Sequence, residues 1–159
     1  PPGCPASPDE PDPPHDLFGP GANDAYLTDV RLTLTPGTLT WKLSIPGLAN
    51  DNHVLGHSAD FLYEGKRYQV LAQRFSFESF YLYSDPSVST TNLGTISGAF
   101  DYVRHTVSLT MTTEQFNRYA APSTPTHPGS LIAMDGPLTS TDFFTNDRLL
   151  PPVFSYRVA

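Results

Sequence analysis

Few residues in this chain have the types and spacing that chemistry needs. Five histidines stand at 15, 53, 57, 105 and 127. His53 and His57 are four apart, the spacing at which two imidazoles share a helix face and hold a metal. The surrounding stretch 46–57, PGLANDNHVLGH, is loop in composition and puts no Glu between them, so the pair reads as loop histidines. Gly56-His57-Ser58-Ala59-Asp60 superficially resembles a nucleophile elbow. It has Asp60 where the second Gly belongs, and its context is loop to strand rather than strand to helix. Carboxylate pairs of the kind that cleave glycosides cannot be read from spacing in a β-rich chain, and here the acids fall mostly in turns. The sequence therefore carries no strong catalytic signature, and a non-enzymatic protein is expected ahead of a small hydrolase using His57 or the clustered acids.

Binding chemistry is better supplied. Hard cations want several oxygen ligands. Oxygen donors cluster at Asp9, Asp12 and Asp16, at Asn23 and Asp24, at Asn50 and Asp51, and at Asp142, Asn146 and Asp147. No EF-hand loop is present, so the calcium expected is structural, with Asp24, Asp29, Asp142 and Asp147 as its candidate ligands. Trp41 and the aromatic run 75–83, FSFESFYLY, could stack on sugars. Trp41 alternates in phase with Leu39 and Leu43 and so belongs to a core. Tyr81 and Tyr83 are the candidate ligand-binding residues. Cys4 is the only cysteine, which excludes an intrachain disulfide. It is either a free thiol or half of an intermolecular or interdomain disulfide.

The elements that must position these residues are strands. In the stretch 29–45, Val30, Leu32 and Leu34 alternate with polar residues, Pro36-Gly37 interrupts, and Leu39, Trp41, Leu43 and Ile45 alternate again. Period two puts the apolar side chains on one face of a pleated strand, so this is a hairpin with one greasy face. With no long amphipathic helix to cover that face, a second sheet must. Further strands follow at Ala59, Phe61 and Tyr63, at Tyr68, Val70 and Ala72, and along 75–83. They continue at 93–103, 106–111 and 131–134, and at Phe154, Tyr156 and Val158. The one helix expected is short, over 113–119, with Thr112 and Gln115 as a capping box and Pro122 as its stop. The stretch 136–152 reads as irregular. Eight or nine strands with turn signals every eight to twelve residues predict an antiparallel β-sandwich, jelly-roll or immunoglobulin-like, over residues 23–159. Residues 1–22 hold eight of the seventeen prolines and read as an extended arm or linker.

Composition limits the partners. The chain has nine basic and sixteen acidic residues, a formal net charge of −7, and no basic run, which argues against nucleic acid. No apolar run is long enough for a membrane span. The chain opens on Pro1 rather than Met, which suggests a mature form or an excised piece of a longer protein. No N-glycosylation sequon occurs.

A series of short motifs follows the order of a known pattern along residues 23–159. Asn23-Asp24-Ala25 stands near the pattern's Gly-Asp-Ala, and Asp29-Val30 is similar to its strand start. Gly37-Thr38-Leu39 leads into a strand ending at Gly47-Leu48. Gly65-Lys66-Arg67-Tyr68-Gln69-Val70 resembles its Gly-x-x-Tyr-x-Val hairpin. Gly98-Ala99-Phe100-Asp101 with Val107-Ser108-Leu109, then Gly129-Ser130-Leu131 and Tyr156-Arg157-Val158, complete the order. The chain departs from the pattern at Asn23, in the helix-like insert at 111–128, and at Leu149-Leu150-Pro151-Pro152. In this order the motifs resemble β-sandwich accessory domains attached to secreted bacterial hydrolases, notably subtilisin-like peptidases, and to cell-surface proteins. The resemblance implies an extracellular or cell-surface module that binds or attaches, to polysaccharide, cell envelope or a parent enzyme, without catalytic residues of its own. The alternative is a structural subunit of a surface layer, filament or capsid, self-assembling through the N-terminal arm.

Overall fold

Pro36-Gly37 does make a hairpin of the 29–45 stretch. The computed structural model describes residues 29–51, 54–84, 91–134, 138–141, 146–149 and 154–159. In it β1 (Asp29–Thr35) and β2 (Thr38–Ser44) pair antiparallel, with Leu32 opposite Trp41 and Leu34 opposite Leu39. Proline holds φ at about −65°, which suits the first turn position. Gly37 takes the second with φ 73°, a left-handed value that glycine adopts without a Cβ penalty.

The chain continues through β3 (Leu55–Tyr63), β4 (Lys66–Arg74), β5 (Glu78–Ser84), β6 (Thr91–Thr95), β7 (Ser97–Asp101) and β8 (Thr106–Thr112). Then come α1 (Thr113–Ala120), the one helix among the described residues, and β9 (Leu131–Met134), β10 (Leu138–Thr141), β11 (Asn146–Leu149) and β12 (Phe154–Arg157). These strands form two antiparallel sheets. The smaller runs β1-β2-β8-β7 and the larger runs β11-β10-β3-β4-β5-β6, with β12 paired to β9 and β9 reaching β3 at Leu62. The architecture is the all-β two-sheet arrangement that the alternation demands.

Three elements differ from the sequence reading. The stretch 93–103 is two strands in different sheets, divided at the buried Ile96, whose amide donates to the Phe80 carbonyl at 3.0 Å. Residues 136–152, expected to be irregular, contribute β10 and β11 to the larger sheet. Phe75-Ser76-Phe77 is the turn between β4 and β5 rather than the start of a strand. The first two differences bring the strands among the described residues to twelve, where eight or nine were expected.

The core lies between the sheets. Leu32, Leu34, Leu39, Trp41 and Leu43 of the smaller sheet face Phe61, Val70, Ala72 and Leu82 of the larger, all buried. Trp41 and Phe61 meet with ring centroids 5.3 Å apart. Helix α1 closes one end. Its capping box forms as expected, with the Gln115 amide donating to Thr112 Oγ1 at 3.0 Å and the Thr112 amide to Gln115 Oε1 at 2.9 Å. It buries a single side chain, Phe116, whose ring packs 5.0–5.8 Å from those of Phe61, Tyr63 and Tyr68. Ala121 ends the helix in a left-handed conformation, and Pro122 prevents its extension.

Candidate functional site

Two surfaces hold side chains suited to recognition. The first is the outward face of the larger sheet. Leu82 of β5 points into the core, so Tyr81 and Tyr83 point away from it. Both are half-buried, their ring centroids 6.1 Å apart and their planes 79° to each other. Register decides their neighbours. Leu71 and Thr95 flank Tyr81, and Gln69 and Asn92 flank Tyr83. Further toward β3 on the same face, Ser58 and Asp60 are buried. Gln69 donates to Asp60 at 3.1 Å and Arg67 lies 3.7 Å from it. The open part of the face is therefore that of β4, β5 and β6, an aromatic strip edged by amides and hydroxyls.

The second surface is the end of the sandwich where residues 45–51, the 75–77 turn and the 102–105 turn meet. Arg74, the last residue of β4, is buried at its centre. Its guanidinium donates to Asp51 Oδ1 at 2.7 Å, to the Ala49 carbonyl at 2.8 Å and to the Tyr102 hydroxyl at 3.1 Å. It also lies 5.5 Å from the centroid of the Tyr102 ring, a cation–π contact. Tyr102 in turn donates to Glu78 Oε1 at 2.7 Å. Burial, with a smaller contribution from Glu78, pushes the Tyr102 hydroxyl above the usual tyrosine range, against the hydrogen bond from Arg74. The other turns are tied in too. His105 Nδ1 sits 2.9 Å from the Leu48 carbonyl, and Asp101 accepts from the amides of Val103 and Arg104 at 3.0 and 2.9 Å. The Arg104 amide, more than the Val103 amide, holds the Asp101 carboxyl below its ordinary range. Over this network opens a cleft of about 560 Å³ rimmed by Phe75 and Phe77.

His57 is not the loop histidine of the sequence reading. It lies in β3, fully buried, with its ring 5.8 Å from that of Phe100. Burial first, and then the positive charge of Arg74, lower its pKa to about 3. It is a neutral imidazole at physiological pH. Ser58 follows it on the strand and so points to the opposite face. The two cannot act as base and nucleophile, and the elbow-like sequence is a strand. Trp41 is core, as its alternation requires.

Cys4, Asp24, Asp142 and His53 lie outside the described residues. Asp29 opens β1, in register with Ser44, and Asp147 lies in β11, in register with Ser140, so the two belong to edge strands of different sheets. Among the described residues, no three His, Cys, Asp or Glu side chains converge as a metal site would require. No helix among them is long and apolar enough to cross a membrane. Sequence reasoning missed the Asp51–Arg74–Tyr102–Glu78 network and the exposed rings above it. The only signal was Arg74 standing in the inward phase of an otherwise apolar alternation with Val70 and Ala72.

Comparison with family models finds no match, and neither the curated proteins nor the solved structures yield a significant one.

Proposed function

We propose that this chain is a non-catalytic binding module of the cell exterior that holds polysaccharide on the outward face of its larger sheet. The observation that carries this reading is the placement of Tyr81 and Tyr83 side by side on the open face of β5, flanked by Gln69, Asn92 and Thr95. A sugar offers an apolar C–H face and a rim of hydroxyls. Tyrosine rings can meet the first, while amides and hydroxyls at the same register meet the second. An open sheet face suits an extended polymer rather than an enclosed small molecule. The order of motifs resembling those of accessory domains of secreted hydrolases supports the same reading, with attachment of a neighbouring catalytic unit to its substrate as the purpose.

The test is binding of the purified chain to immobilised insoluble and soluble polysaccharides, with Tyr81→Ala and Tyr83→Ala beside it. Each substitution is expected to weaken binding at least tenfold, about 1.4 kcal/mol. Neither should lower the melting temperature by more than a few degrees, because both rings sit outside the core. Binding to no polysaccharide, or full binding by the double variant, refutes the reading.

A further inference from the structure

Phe75 is 60% exposed, Phe77 68% and Val103 89%, and all three project from the same end of the sandwich. They stand on two adjacent hairpin turns, after β4 and after β7. The Arg74–Tyr102–Glu78 hydrogen bonds join the bases of those turns, so the apolar tips are held at a fixed relative position. Large apolar side chains at the tips of pinned turns do not serve the core, and their exposure leaves them unfavourably solvated.

From these tips we infer a second binding surface, one that inserts into the interface of a neutral, zwitterionic lipid bilayer. Area and charge choose this occupant. The three side chains expose together roughly 300–400 Å², about half of the ~800 Å² that a stable protein interface takes from each partner. A second copy of the chain docked tip to tip would gain too little. A bilayer makes no such demand, because it receives a convex apolar tip to a depth of about 5–10 Å, within reach of a phenylalanine side chain. Charge then selects the lipid. Arg104 is the one cation in the tips themselves, Arg74 is engaged beneath them, and Asp51 and Glu78 line the same cleft. The whole chain carries −7. Attraction to an anionic membrane is therefore not what brings the tips down, and insertion should not depend on salt. The polar network at the base would sit at headgroup depth, with the rings below it. This surface is independent of the tyrosine face and of the polysaccharide reading.

The experiment is flotation of the full chain with vesicles of pure phosphatidylcholine, and with vesicles containing 3:7 phosphatidylserine to phosphatidylcholine, at low and high salt. The variants are F75S/F77S and the reporter F77W. The wild type is expected to float with phosphatidylcholine vesicles at both salt concentrations. F75S/F77S should lose at least tenfold in partitioning with an unchanged melting temperature, since neither ring is buried. The F77W emission should shift to shorter wavelength on vesicles, against a constant contribution from the buried Trp41. No flotation of the wild type, flotation only with phosphatidylserine, or undiminished flotation of F75S/F77S would each overturn the inference. So would a concentration-dependent oligomer that F75S/F77S abolishes in the absence of any flotation, which would make the tips a protein interface.

Discussion

His57 makes folding stability depend on pH in a way that can be calculated. Its ordinary pKa of 6.5 applies to the unfolded chain, and burial beside Arg74 lowers it to about 3 in the folded one. The unfolded state therefore takes up a proton first as pH falls. The stability that the neutral ring contributes is fully present above pH 6.5 and is lost progressively toward pH 3. Linkage between these two values gives a loss of about 2 kcal/mol at pH 5 relative to pH 8, and about 3 kcal/mol at pH 4. Carboxylates titrate in the same range, so the effect must be isolated as a difference. His57→Gln keeps a neutral polar side chain at the site and cannot titrate. Urea denaturation of both proteins at pH 8 and pH 5 should show the wild type losing about 2 kcal/mol more than the variant between the two. A difference below about 0.5 kcal/mol would refute the reasoning, as would an imidazole resonance of His57 that titrates near 6.5 in the folded protein.

Other substitutions probe the sandwich itself. A methyl group at Gly98 would collide with the Phe80 ring and come within 2.6 Å of the Ser108 carbonyl, which is backbone in the adjacent strand and cannot yield. Gly98→Ala should cost about 3 kcal/mol or more by chemical denaturation. At Gly94 the obstacle is the Tyr119 ring at 2.6 Å, a half-buried side chain that can swing outward, so Gly94→Ala should cost about 1 kcal/mol. Equal costs at the two glycines would contradict the packing described. Phe116→Ala removes the only side chain that α1 buries, and should destabilise by about 3–5 kcal/mol in the same assay.

The sheets were legible because their period is strict. Leu32, Leu34, Leu39, Trp41 and Leu43 could only share one face, and the structure buries that face. The helix was legible because Thr112 and Gln115 announce its start and Pro122 its end. What escaped was whatever depends on long-range pairing. Leu138 to Thr141 have no strong alternation, and they are a strand because Ala59, Ser58, His57 and Gly56 offer them an edge. The break at Ile96 was hidden because alternation runs on across it while the hydrogen-bond partners change from β5 to β8. Phe75-Ser76-Phe77 has the period of a strand and none of the Gly, Pro or Asn that usually marks a turn. Its carbonyl at Phe77 instead accepts from the Phe75 amide at 3.2 Å. The site at that end needed three loops brought together, a juxtaposition no local pattern contains.

By contact order, the pairing of β2 with β8 is expected to set the pace of folding. Thr40 and Thr110, seventy residues apart, face each other across this pair. The β1–β2 hairpin can close early through its two-residue turn, but its outer partner arrives only after β3 to β7 have been laid down. Contacts of such long range put a two-sheet protein among the slow folders, at about milliseconds to seconds. During that interval the Leu39–Trp41–Leu43 face and the free edge of β2 would both be uncovered. A nascent chain is then most exposed to pairing with its own copies, and this hairpin is the segment that a chaperone would have the most reason to hold.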